Sequence, residues 1–224
     1  MILKQAPQTF PCGDRFIRAF EQAGLPFGVF QALSIDVDAA KSIIENPLVN
    51  YVHFTGSVEA GAKVNQIAAS RFIGLGLELG GCDPAYVRED ADPINAAENL
   101  IDGAMYNSGQ SCCGIQRIYV HANVYDEFID HCIKVTNTYI LGSPLDEYTT
   151  IGPVVSERAA DNMRNVIQDA LSKNGIALIE EAHFPNSKVG SAYVAPQIIA
   201  NANHEMRLMT EEVFAPIVGI CKVI

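Results

Sequence analysis

The sequence predicts an α/β fold, and three observations carry that expectation. Short apolar runs alternate with amphipathic helical patterns along the chain. In the first part the order is strand, helix, strand, helix, the pattern of βαβ units with a parallel sheet and helices on its faces. Near Leu77-Glu78-Leu79-Gly80-Gly81 two glycines follow an apolar strand and mark a bend or crossover into a second α/β layer.

The elements follow in order. Ile2-Leu3 belongs to a strand, and Met1-Ile2-Leu3-Lys4 reads as the middle of a buried strand, so any targeting signal would lie outside residues 1–224. Phe16, Ile17, Phe20 and Ala23 have helical spacing, stopped by Gly24 and Pro26. Val29 to Leu33 is expected as a strand, and Asp36 to Glu45 as a helix with Val37, Ala40, Ile43 and Ile44 on one side. Tyr51 to Phe54 is the next strand, followed by Thr55-Gly56-Ser57 and a helix to about Ala69. Past the glycines come a short strand at Ala85 to Val87 and a long helix that begins at Asp92-Pro93 and carries Ile94, Ala97, Ile101, Ala104 and Met105. Ile118 to His121 is a strand, and the helix from about Val124 turns Phe128, Ile129, Cys132 and Ile133 inward. A loop punctuated by glycine and proline covers Gly142 to Pro153, and a helix spans Ser156 to about Ser172. Later strands are expected at Ile176 to Ile179, Tyr193 to Gln197 and Pro216 to Val223.

Composition narrows the function classes. With 49% hydrophobic and 18% charged residues, the 224-residue chain has the balance of a globular protein with a filled core. The formal charge of −11 and the absence of a basic cluster argue against a nucleic-acid partner. No window approaches the apolar length of a membrane span. The six cysteines show neither C-x-x-C nor zinc-site spacing, and His131-Cys132 has no second pair, so reduced thiols in a cytoplasmic setting and no metal are expected.

Three places could carry chemistry. Cys112 follows Ser108-Gly109-Gln110-Ser111 just past a helix, where small residues leave the backbone open to a ligand and N–H groups could favour a thiolate. Cys112 and Cys113 could equally be buried, inert small hydrophobes. Glu78 lies between two leucines, and a carboxylate in apolar surroundings has its pKa pushed upward, which suits a general base. Strand alternation could instead leave it on the solvent face. At Phe54-Thr55-Gly56-Ser57 a strand turns tightly into a helix whose free N–H groups would favour a phosphate, although Ser57 serves equally as an ordinary N-cap. Neither G-x-G-x-x-G nor a Walker A pattern is present.

Taken together these segments resemble the NAD(P)-dependent aldehyde dehydrogenase superfamily. Leu77-Glu78-Leu79-Gly80-Gly81 is similar to its glutamate motif and Gly109-Gln110-Ser111-Cys112 to its cysteine motif. Phe54-Thr55-Gly56-Ser57-Val58-Glu59-Ala60-Gly61 resembles its pyrophosphate turn, Gly24-Leu25-Pro26-Phe27-Gly28-Val29 the segment before a sheet strand, and Glu211-Glu212-Val213-Phe214-Ala215-Pro216 its late Glu-Glu motif. All five come in family order.

The resemblance implies residues 1–80 as the C-terminal part of a Rossmann-type nucleotide-binding domain and residues 81–224 as an α/β catalytic domain, incomplete at its C-terminus. It implies oxidation of an aldehyde to a carboxylic acid with NAD or NADP through a cysteine thioester. Cys112 would be the nucleophile, with its backbone N–H in the oxyanion hole, and Glu78 the base that activates water. Lys4 would hold the adenosine ribose, Gly56 and Ser57 would meet the pyrophosphate, and Leu79, Glu212 and Phe214 would complete the nicotinamide end. An intact member would be a homo-oligomer acting on a small-molecule aldehyde. The alternative is a truncated, catalytically incompetent chain of the same fold with a structural or binding role. Three departures stand out: Pro7 where many NAD-preferring members have a ribose-binding glutamate, no glycine in Gln31-Ala32-Leu33-Ser34-Ile35-Asp36, and Ala215 for a usual glycine.

Overall fold

The computed structural model describes residues 1–224 as α/β throughout, in two units, Met1–Leu79 and Gly80–Ile224. The first unit runs β1 (Ile2–Lys4), α1 (Phe10–Gln22), β2 (Gln31–Leu33), α2 (Val37–Glu45), β3 (Tyr51–Thr55), α3 (Val58–Ala69) and β4 (Gly74–Glu78). Asp36 and Ser57 cap α2 and α3, their side chains accepting from the Ala39 and Ala60 N–H groups. The strands pair in parallel, as the sequence order predicts, with α1 and α3 supplying the crossovers that parallel neighbours require. They form two separate pairs, β1–β2 and β3–β4, rather than one sheet.

Three local expectations are corrected in this unit. The second strand begins at Gln31 rather than Val29, because the Val29 N–H closes a turn on the Pro26 carbonyl and Gly28 takes a φ of +83°. The apolar stripe of α1 sets the helix but not its burial: Phe16 and Phe20 remain 50% and 37% exposed. The first strand is likewise an open one, with Ile2 half exposed.

The second unit runs β5 (Asp83–Val87), α4 (Pro93–Met105), β6 (Ile115–His121), α5 (Tyr125–Thr136), α6 (Glu157–Ser172), β7 (Ile176–Ala177), β8 (Gln197–Ala200) and β9 (Ile217–Val223). Its five strands lie in the order β5-β6-β9-β8-β7, parallel except for the antiparallel edge strand β7. The Asp92 carboxylate accepts from the Ile94 and Asn95 N–H groups, and Pro93 occupies the first helical position, which fixes the start of α4.

Alternation along the central strands splits the core between two faces. Ile118, Val120, Ile198, Val218 and Ile220 pack with Ile101 of α4 and Phe128 and Cys132 of α5. Ile199 and Ile217 pack with Met163 and Val166 of α6 and with Met206, Leu208 and Met209. The strand expected at Tyr193 to Gln197 is displaced to Gln197–Ala200. Serine hydroxyls of Ser191 and Ser187 take the Tyr193 and Ala195 N–H groups, and Pro196 has none, so the ladder with β9 starts at Gln197. β7 is shorter than expected because the buried Gln197 side chain accepts from the Leu178 and Ile179 N–H groups and donates to the Ile179 carbonyl. No helix is long and apolar enough to cross a membrane.

An ion pair anchors the end of α6. Asp169 accepts from the Arg207 backbone N–H at 2.9 Å and from Lys173 Nζ at 2.7 Å, and these bonds hold its carboxyl below the usual range. A depressed folded-state pKa contributes stability above the unfolded value and loses it as pH falls through the folded value. Asp169→Asn is therefore expected to lower stability at neutral pH by less than about 1 kcal/mol, since water screens the pair. The difference from the parent should vanish at pH values below the ordinary aspartate range, as checked by denaturant midpoints across acid pH.

Candidate functional site

In the first unit the candidate residues other than Lys4 collect at the carboxyl ends of β3 and β4, where open parallel sheets place ligand crevices. Thr55 is the register partner of Glu78, and the Gly56 N–H donates to the Glu78 carbonyl at 3.0 Å. A Cβ at Gly56 would lie 2.7 Å from the tip of the Phe54 ring, so a side chain here would require that ring to shift. Ser57 Oγ accepts from the Ala60 N–H at 3.3 Å, while the Val58 and Glu59 N–H groups at the start of α3 have no acceptor in the chain. Leu79 packs on α3 at Gly61, where a Cβ would stand 2.5 Å from Leu79 Cδ2. Glu78 occupies the last position of its strand and is exposed. The apolar enclosure expected from its leucine neighbours is absent there, and Leu77 is itself 37% exposed. Lys4 ends β1, exposed and without an ion-pair partner, on the strand pair that does not include β3.

In the second unit Cys112 is presented by a constrained loop. After α4 the residues Asn107, Ser108 and Gly109 take φ values of +51°, +58° and +69°, and two consecutive non-glycine residues in that region mark stored strain. The surroundings hold it. Ser108 Oγ donates to the Gly152 carbonyl at 2.9 Å, and Gln110 Oε1 accepts from the Val155 N–H at 2.7 Å. Gln110 Nε2 donates to the Asn107 carbonyl, and Asn107 Nδ2 donates to that of Gln110. The cysteines follow in a turn closed by the Gly114 N–H on the Ser111 carbonyl. Both thiols are exposed, and neither cysteine N–H has an acceptor. By contrast, burial pushes the Cys132 thiol up to about 12 and those of Cys82 and Cys221 upward, which leaves them poor nucleophiles.

The Glu211–Pro216 segment packs against this loop. Glu212 Oε1 accepts from the Gly81 N–H at 3.2 Å, and a Cβ at Gly80 would fall 1.8 Å from Glu212 Oε2. A Cβ at Gly81 would lie 2.6 Å from the Cys112 carbonyl oxygen. Phe214 is partly exposed and adopts a φ of +53°. Ala215 is not among the positive-φ residues, so alanine in place of glycine is unstrained, and its carbonyl meets Gly109. Thus Cys112, Glu212 and Phe214 share one neighbourhood of the second unit. Gln116, which bridges Gly81 and Val213, was not singled out from the sequence. Its signal was a polar residue at a strand position in phase with buried Ile118 and Val120.

The family model for the aldehyde dehydrogenase family matches residues 1–224. The 3-sulfolactaldehyde dehydrogenase of Priestia aryabhattai is 34% identical over 223 residues, covering 99% of this chain and 45% of that protein. A crystal structure of an NADP-dependent enzyme of E. coli superposes with a TM-score of 0.94 at 30% identity, over 100% of this chain and 46% of the other. That of an NAD-dependent aldehyde dehydrogenase from Sinorhizobium meliloti gives 0.92 at 29% identity, over 99% and 44%. The chain spans about half the length of the relatives it matches. By its motifs, its fold and this match along its whole length, the chain belongs to the aldehyde dehydrogenase family.

Proposed function

We propose that this chain carries the catalytic cysteine and the base of an NAD- or NADP-dependent oxidation of an aldehyde to a carboxylic acid. The observation that carries the reading is the Cys112 turn: an exposed thiol with an unpaired N–H of its own, on a loop fixed by Gln110 and Gly109. Residues 1–80 serve as part of the nucleotide-binding domain and residues 81–224 as part of the catalytic domain.

The steps follow from the side chains. The Cys112 thiolate adds to the aldehyde carbon, and the resulting oxyanion accepts from the Cys112 N–H. NAD or NADP, when bound, supplies the acceptor for the hydride that leaves this carbon. The acyl group then remains on Sγ as a thioester. Glu78 takes a proton from water, the hydroxide attacks the thioester carbon, the C–S bond breaks, and the thiolate returns with release of the acid. The unpaired N–H groups at the α3 start and the exposed backbone at Gly56 suit a pyrophosphate, with the Ser57 hydroxyl beside it. Lys4, Leu79, Glu212 and Phe214 are assigned the remaining cofactor contacts.

Glu78→Gln tests the assignment. With aldehyde and cofactor it should give a burst of about one equivalent of reduced cofactor per site and then stall, with no acid released. Undiminished steady-state turnover, or acyl-coenzyme A as the product when coenzyme A is added to the parent protein, would contradict it.

The alternative reading is a catalytically incompetent chain of the same fold with a structural or binding role. Aldehyde-dependent cofactor reduction by residues 1–224, lost in Cys112→Ala, would exclude it.

A further inference from the structure

Gln116 is 6% exposed, on a strand whose other inward positions are Ile118 and Val120. A buried amide in that place needs partners, and it has two. Its Nε2 donates to the Gly81 carbonyl at 3.2 Å, and its Oε1 accepts from the Val213 N–H at 3.0 Å. Gly81 and Val213 are joined a second way, since the Gly81 N–H donates to the carboxylate of Glu212, the residue before Val213. The three bonds close a ring through β6, the Gly80-Gly81 segment and the Glu211–Val213 segment.

We propose that Gln116 is a positioning residue for Glu212: its amide fixes the two backbone segments between which the Glu212 carboxylate is held. This rests on the reading of Glu212 as a cofactor contact. The chemistry is specific to an amide, because one end must donate and the other accept. A glutamate there could still accept from Val213 but would turn an acceptor towards the Gly81 carbonyl. A leucine would leave a donor and an acceptor unpaired in a buried place, where each is costly. The glycine at position 80 makes the demand on position strict, since the carboxylate already lies against its Cα. A small movement of the Glu211–Val213 segment away from Gly81 therefore releases the carboxylate from its place.

The test uses Gln116→Leu and Gln116→Glu in the longest natural chain that contains residues 1–224, with two readouts. Amide hydrogen exchange is followed at Gly81, Val213, Ile118 and Val120, and affinities for NAD+ and NADP+ are measured by calorimetry. In Gln116→Leu, exchange at Gly81 and Val213 should quicken by at least about tenfold while Ile118 and Val120 keep their protection. Cofactor affinity should fall by at least about tenfold, with the rate of Cys112 alkylation in cofactor-free protein unchanged. Gln116→Glu should keep Val213 protected and lose protection at Gly81. Unchanged exchange at Gly81 and Val213 would overturn the clamp; faster exchange with unchanged cofactor affinity would overturn its positioning role. A parent protein that binds neither NAD+ nor NADP+ would overturn the cofactor reading of Glu212, and the proposal with it, whatever the exchange data give.

Discussion

Cys112→Ala is expected to lower aldehyde-dependent reduction of NAD+ or NADP+ by more than about a thousandfold, because no other thiol is placed to replace it. Cys113 is the nearest candidate, exposed and one residue away, but its sulfur is engaged by Ser111 Oγ at 3.3 Å. Cys132 is enclosed, and burial pushes its thiol up to about 12. Cys113→Ala should therefore retain most of the activity. Cofactor affinity should be unchanged in both variants, since neither side chain is assigned to holding the cofactor. Steady-state rates with calorimetric cofactor titrations check this, and a Cys112→Ala protein with near-parental turnover would remove the assignment.

Gly109→Ala should be the most damaging single-methyl change in the second unit. Gly109 has a φ of +69°, and its Cβ would stand 2.1 Å from the Ala215 oxygen, 2.4 Å from the Ala215 carbonyl carbon and 2.9 Å from Pro216 N. These are backbone atoms, which cannot rotate aside. The left-handed conformation costs about 1 kcal/mol for alanine, and overpacking adds roughly 1–3 kcal/mol. The expected loss of about 2–4 kcal/mol is a large part of the stability of a typical domain. Gly152→Ala is the control: a Cβ there meets Ser108 Oγ at an ordinary 3.9 Å, so its stability should stay within about 0.5 kcal/mol of the parent. Denaturant midpoints of the three proteins decide the matter. Equal midpoints for Gly109→Ala and the parent would mean that the Cys112 loop yields, and that its contact with Ala215 is not a constraint.

Local signals carried much of the fold. Asp92-Pro93 announced α4 because a carboxylate acceptor and a proline without N–H meet the needs of a helix start in the sequence itself. The strand expected at Ile118 to His121 likewise matches β6, which begins earlier, at Ile115. What failed was what neighbours decide. β8 was placed too early because Ser187 and Ser191 divert the N–H groups of Tyr193 and Ala195, and no periodicity encodes that. The exposed face of α1 shows the same limit, since its stripe of phenylalanines forms a helix without supplying a surface to cover it. Among the proposed residues, Cys112 and Glu78 stand out through ordered motifs, whereas Gln116 depends on a ring of contacts between residues 35 and 97 positions apart.

The most direct measurement is the mass of the Cys112 peptide in Glu78→Gln after reaction with an aldehyde and oxidised cofactor, quenched in acid and digested. Acylation of Cys112, with Cys113 unmodified and no adduct when cofactor is omitted, is the predicted result. An unmodified Cys112 in a protein that has reduced its cofactor, or an acyl group on Cys113, would contradict it.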